Sequence, residues 1–147
     1  MDIEIRKAQK EDISSIFSLV KELAEYENAS HMVKVDEDYY MKEWTEGTFY
    51  AIVAELKGKV IGTCIYYMTF STWKGKCIYL EDFVVREEYR KLGVGQMLYD
   101  QLLEESKKLD ATMIRWQVLD WNEPAIKFYE KNNAIIDKEW WNCKVYF

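Results

Sequence analysis

The stretch Tyr79 to Asp100, YLEDFVVREEYRKLGVGQMLYD, constrains this chain more than any other. An apolar strand from Ile78 to Val85 gives way to a charged loop and then to Arg90-Lys91-Leu92-Gly93-Val94-Gly95. A helix follows, with Val94, Met97, Leu98 and Leu102 at helical spacing. A helix start carries N–H groups without intrahelical partners and the positive end of a dipole, and glycine lets an anion come close to the backbone. The loop is therefore expected to cradle phosphate oxygens. Two glycines before a helix also occur as a plain turn, and a doubly wound dinucleotide fingerprint would need a third, correctly spaced glycine that this chain lacks.

The strand in front adds chemistry. Glu81 and Asp82 sit between Ile78-Tyr79-Leu80 and Phe83-Val84-Val85, and the two-residue period of a strand sends adjacent side chains to opposite faces. At least one carboxylate then points into an otherwise apolar layer, which is costly unless the group is paired or used. Pairing with Arg86 or Arg90 in a structural network is the alternative to a site.

These residues resemble a known family. Arg90-x-x-Gly93-x-Gly95 after an apolar strand is similar to the acetyl-CoA loop of the GNAT superfamily of N-acetyltransferases. Tyr79-Leu80-Glu81-Asp82-Phe83-Val84-Val85 and Trp121-Asn122-Glu123-Pro124-Ala125-Ile126-Lys127-Phe128-Tyr129 resemble one branch of it, the spermidine/spermine (diamine) and thialysine N-acetyltransferases. The resemblance extends over nearly the whole chain. It implies an α/β (α+β) GNAT fold: a central mixed, mostly antiparallel twisted sheet, helices on both faces, and a splayed pair of parallel strands that binds acetyl-CoA.

A length of 147 residues suits one domain, 1–147, and an apolar content of 49% suits a packed core. The net charge of -6 disfavours nucleic acid, which needs a basic face, and suits a cationic partner, although it also serves solubility alone. Cys64, Cys77 and Cys143 form no close pair and are expected to pack as small hydrophobes; His31 has no companion ligand, so no metal is expected. The start Met1-Asp2-Ile3-Glu4 does not read as a signal peptide and no stretch approaches membrane-spanning length, so a cytoplasmic protein without membrane contact is expected.

Along the chain, Ile3 and Ile5 suggest a first strand, and Asp12 is expected to cap a helix buried along Ile13, Ile16, Phe17, Val20, Leu23 and Ala24. Its exit, Glu25-Tyr26-Glu27, offers carboxylates and a phenol to an amine, or is simply a solvated terminus. Asp36 to Trp44 reads as a short helix suited to cover a substrate. Thr48 to Leu56, Lys59 to Phe70 and the central strand form an antiparallel meander, with a tight turn at Lys57-Gly58 and another around Trp73-Lys74-Gly75-Lys76. Trp73 could hold an alkylammonium chain. Just before it, where the polyamine branch commonly carries an acidic residue and a proline, this chain has Ser71-Thr72, which favours shorter diamines or lysine-like amino acids over long polyamines. Met113 to Leu119 is expected as a strand parallel to the central one, Asn122 as the cap of a helix that tolerates Pro124 in its first turn, and Ala134 to Phe147 as final strands. Trp140, Trp141, Val145 and Phe147 are expected there for packing or a subunit contact.

An alkylamine must lose a proton before attacking a thioester, and the departing thiolate gains from an acid. By the resemblance, Glu81 is the base and Tyr129 the acid. The resemblance also implies acetyl-CoA binding by the backbone of Phe83, Val84 and Val85, by Arg90, Lys91, Leu92, Gly93, Val94, Gly95 and Gln96, and by Asn122 and Tyr129. Tyr26, Glu27, Trp73, Glu81 and Asp82 would line the amine site. The expected reaction is direct acetyl transfer from acetyl-CoA to a primary amine of a small molecule, with a homodimer as the assembly. Acetylation of a protein or peptide, and a non-catalytic acyl-CoA-binding module, are the alternatives.

Overall fold

Strand-forming runs rich in Ile, Val, Tyr and Thr set five strands side by side in the order β1-β2-β3-β4-β5. The computed structural model describes residues 1–147 and divides the chain into two compact units, Met1–Trp116 and Gln117–Phe147. The first holds the strands β1 (Ile3–Lys7), β2 (Tyr50–Leu56), β3 (Lys59–Ser71), β4 (Gly75–Val85) and β5 (Met113–Arg115). It also holds the helices α1 (Ile13–Tyr26), α2 (Glu37–Thr45) and α3 (Val94–Lys108). The first four strands pair antiparallel, and β4 pairs with β5 in parallel. This is the mixed sheet that the resemblance implied.

Alternation along the strands feeds two cores. Ile52, Ala54, Ile78 and Leu80 pack with Val94, Leu98 and Leu102 of α3 on one face. Ala51, Val53, Ile65 and Val84 pack with Ile13, Ile16 and Leu19 of α1 on the other. Gly62 lets α3 approach closely: a Cβ there would stand 3.1 Å from Leu98 Cδ1 and from the Val84 carbonyl oxygen. The α2 helix is fastened by rings, with Tyr40 edge-on to Phe17 at 4.9 Å and to Phe49 at 5.8 Å.

Several expectations change. Asp12 precedes α1 but makes no capping bond to it; its carboxylate instead accepts bonds from Arg6 at 2.7 and 3.0 Å and from the Gln9 N–H at 2.7 Å. A charged partner within reach outcompetes a helix amide. Met97 is on the exposed side of α3, and Cys143 is exposed, whereas Cys64 and Cys77 are buried. The strand expected from Met113 to Leu119 ends at Arg115.

The second unit contains one helix, α4 (Glu123–Lys131), capped by Asn122, whose side chain accepts from the Ala125 N–H, with Pro124 in its first turn as expected. Residues 134–147 form no strand, and Trp140, Trp141, Val145 and Phe147 are exposed. Apolar character alone does not make a strand; the backbone must find a ladder partner.

Candidate active site

The register of β3 against β4 shifts once. Ile65 pairs with Asp82, but the next residue, Tyr66, pairs with Leu80, so Glu81 is an extra residue with no β3 partner. Such a bulge resets the alternation. Before it, Ile78 and Leu80 face α3; after it, Phe83 and Val85 do. Glu81 and Asp82 consequently do not point to opposite faces, as the strand period implied. Both line one cavity of about 240 Å³ on the side of α1 and α2.

The remaining walls come from the approach to α2, from α2 itself, from the segment between α2 and β2, and from β3. Val35, Tyr39, Tyr40, Phe49 and Ile65 are mostly apolar surface, and Glu43, Thr48 and Tyr67 add polar atoms. Tyr67 donates its hydroxyl to Glu81 Oε2 at 2.7 Å and stacks on Tyr79 with centroids 5.5 Å apart. Neither carboxylate pairs with an arginine. Arg86 binds Glu22 and the Val60 carbonyl, and Arg90 donates to the Val85 carbonyl at 3.0 Å with its guanidinium over the Tyr26 ring. The structural network considered for Arg86 and Arg90 is thus not formed.

Burial, followed by the charges of Glu81 and Glu27, pushes the Asp82 carboxyl up to about 7. Burial also raises Glu27, and burial with the Asp82 and Glu81 charges pushes the Tyr40 phenol up to about 12. A carboxyl poised near neutrality can take a proton from an ammonium group, and an ionised neighbour can attract that ammonium.

The phosphate-loop expectation has a geometric counterpart. Lys91 at φ 64 and Gly93 at φ 81 turn the chain into α3, whose first intrahelical bond runs from the Met97 N–H to the Gly93 carbonyl. The amides of the first turn, Val94, Gly95 and Gln96, therefore precede the helical ladder beside the cations of Arg90 and Lys91. On the neighbouring strand, β5 pairs with Cys77, Ile78 and Tyr79, and β4 runs on beyond that pairing to Val85. The extended backbone of Phe83 to Val85 in that continuation suits an amide-bearing chain. These features fit a pyrophosphate joined to a pantetheine arm.

Of the other expected site residues, Glu27 reaches Asp82 electrostatically, and Tyr26 packs under Arg90. Trp73 is 82% exposed at the β3–β4 turn and does not line the cavity. It lies seven strand residues from Asp82, roughly 20 Å. Asn122 and Tyr129, both buried, belong to the second unit. Sequence reasoning missed Tyr39, Glu43, Thr48, Phe49 and Tyr67 as cavity residues. The available signal was α2, read as a cover, with its polar face unassigned.

Residues 14–134 match the family described as "Acetyltransferase (GNAT) family". The chain is 37% identical to thialysine N-epsilon-acetyltransferase of Bos taurus, over 96% of this chain and 90% of that protein. It is 30% identical to spermidine/spermine N(1)-acetyltransferase-like protein 1 of Homo sapiens, over 90% of this chain and 20% of that one. Among solved structures, an aminoglycoside acetyltransferase from an uncultured soil metagenomic sample superposes with a TM-score of 0.82 at 16% identity, covering 99% of this chain and 96% of that one. The family match runs through most of the chain, so the chain belongs to the GNAT family and is an acetyl-CoA-dependent N-acetyltransferase.

Proposed function

We propose that the enzyme transfers acetyl from acetyl-CoA directly to a primary amine of a small molecule, a diamine, polyamine or lysine-like amino acid such as thialysine. The observation that carries this reading is the pair Glu81 and Asp82, turned by one bulge into the same cavity and unpaired with any protein cation. The names of the relatives point the same way.

The ammonium group of the acceptor enters between the two carboxylates, with Glu27 adding to their field and Tyr26 at the helix exit. The base role expected for Glu81 passes in this reading to Asp82, because a carboxyl held near 7 both accepts a proton and releases it at neutral pH. Glu81, held by Tyr67, takes the binding role instead. The amine lone pair then attacks the thioester carbonyl, a C–N bond forms, the C–S bond breaks, the thiolate takes a proton from the Tyr129 hydroxyl, and the second proton shed by the new amide nitrogen restores that hydroxyl. Backbone N–H groups of Phe83 to Val85 hold the pantetheine arm, residues 90–96 hold the pyrophosphate, and Asn122 supports the acyl donor. Trp73, remote from the cavity, enters only if a long acceptor or a second copy reaches it.

The family match at 14–134 runs through both units, which supports their working as one acetyltransferase domain. Three free cysteines support a reducing cytoplasm, and the exposed aromatic residues near the C-terminus support a homodimer, which light scattering tests directly.

The deciding experiment is free-thiol release from acetyl-CoA with spermidine, spermine, putrescine, thialysine, lysine and a basic peptide, on wild type and Tyr129→Phe. Turnover of a small amine with a fall of about 100-fold or more in the variant supports the reading. Turnover of the peptide alone overturns the substrate class, and an unchanged Tyr129→Phe rate removes the acid.

A further inference from the structure

The cavity contains a third carboxylate whose position none of the proton chemistry uses. Glu43 projects from α2 into the same cavity as Glu81 and Asp82. It is oriented by Thr48, whose hydroxyl donates to Glu43 Oε2 at 2.6 Å. No lysine or arginine lines the cavity, and none forms an ion pair with any of the three carboxylates. Asp82, largely withdrawn from solvent, has no hydrogen-bond or ion-pair partner of its own. Three acidic groups facing a shared space without a protein cation leave the charge balance to the ligand.

Their arrangement is bipolar. Thr48, which holds Glu43, stands just before β2, whereas Glu81 and Asp82 are on β4, two strands away. Two strand spacings are roughly 10 Å, and the rings of Tyr40 and Phe49 contribute apolar wall to the cavity that both ends share. A ligand matching this surface carries a positive charge at each end of a short hydrocarbon chain.

We propose that Glu43 is a specificity-determining residue that binds a second cationic group of the acceptor, so that the enzyme selects a short dication over a monoamine of the same length. The inference rests on the amine-acetylation reading above and adds to it the far anchor. Thr48 fixes the carboxylate in advance, so little side-chain freedom is lost when the cation arrives.

The test compares acetylation of cadaverine with that of n-pentylamine, which differ only in the far ammonium, for wild type, Glu43→Gln and Glu43→Lys. Wild type is expected to prefer the diamine in kcat/KM, and Glu43→Gln, which can still accept the Thr48 bond, to reduce that preference roughly tenfold through KM. Glu43→Lys is expected to turn the preference toward the matching ω-aminocarboxylate, a gain that misfolding cannot produce. A diamine-to-monoamine ratio unchanged in both variants overturns the role of Glu43 and leaves amine acetylation standing. A wild type that acetylates neither amine nor any member of the small-amine panel overturns the broader reading and this inference together.

Discussion

Glu81 and Asp82 are consecutive in the chain and yet face the same cavity, because Asp82 pairs with Ile65 while Glu81 has no residue opposite it. One unpaired backbone position thereby brings two carboxylates into one place, and the charge of Glu81 acts on Asp82. The shared field, added to burial, holds the Asp82 carboxyl at about 7.

Activity should therefore fall as pH drops below about 7, following protonation of Asp82. Asp82→Asn is expected to lower kcat/KM roughly 100-fold and to abolish this acidic limb. Glu81→Gln removes the like charge, so the limb should move to lower pH. The pH dependence of kcat/KM for the three proteins measures both effects. A limb unmoved in Asp82→Asn would return the base role to Glu81.

The same group imposes a cost on folding. In the folded protein Asp82 keeps its proton up to about 7, against an ordinary value of 3.8. The folded state thus binds more protons between those limits, and the stability associated with this group is full below the lower value and lost as pH rises through the upper one. Asp82→Asn is expected to raise Tm by roughly 5 °C at pH 8 and to change it little at pH 4. Thermal melts at the two pH values check this, and an equal gain at both would contradict it.

Two glycines should fail in different ways. At Gly62 a Cβ would meet Leu98 and the Val84 carbonyl at 3.1 Å, so Gly62→Ala is expected to cost about 1–3 kcal/mol of stability. At Gly93 nothing lies within 4 Å, but φ is +81, so Gly93→Ala strains the loop that leads into α3. Its expected effect is a several-fold rise in KM for acetyl-CoA with a loss of only about 1 kcal/mol in stability. Denaturant melts and acetyl-CoA titration of both variants separate the two outcomes.

Local patterning carried much of the fold. The Lys57-Gly58 turn, the α3 start at Val94, the α4 cap at Asn122 and the burial of Ile13, Ile16, Leu98 and Leu102 were all legible, because each depends on residues close in sequence. Asp12 was misread for the opposite reason. Its partner, Arg6, is equally available to a capping or a bridging geometry until the strand and helix are placed. The expected strands of residues 134–147 required ladder partners that hydropathy does not supply.

The sequence by itself determined the chemistry available, two adjacent carboxylates before a glycine loop and a helix start, since side-chain type and short spacing are written in the chain. Only the tertiary structure decided where that chemistry is directed. The bulge at Glu81 is a property of two strands in register, and the meeting of Glu43, Tyr67 and Asp82 around one cavity needs α2, β3 and β4 to be docked together. Pairing register and helix docking are set by burial summed over distant residues, and no local spacing encodes that sum.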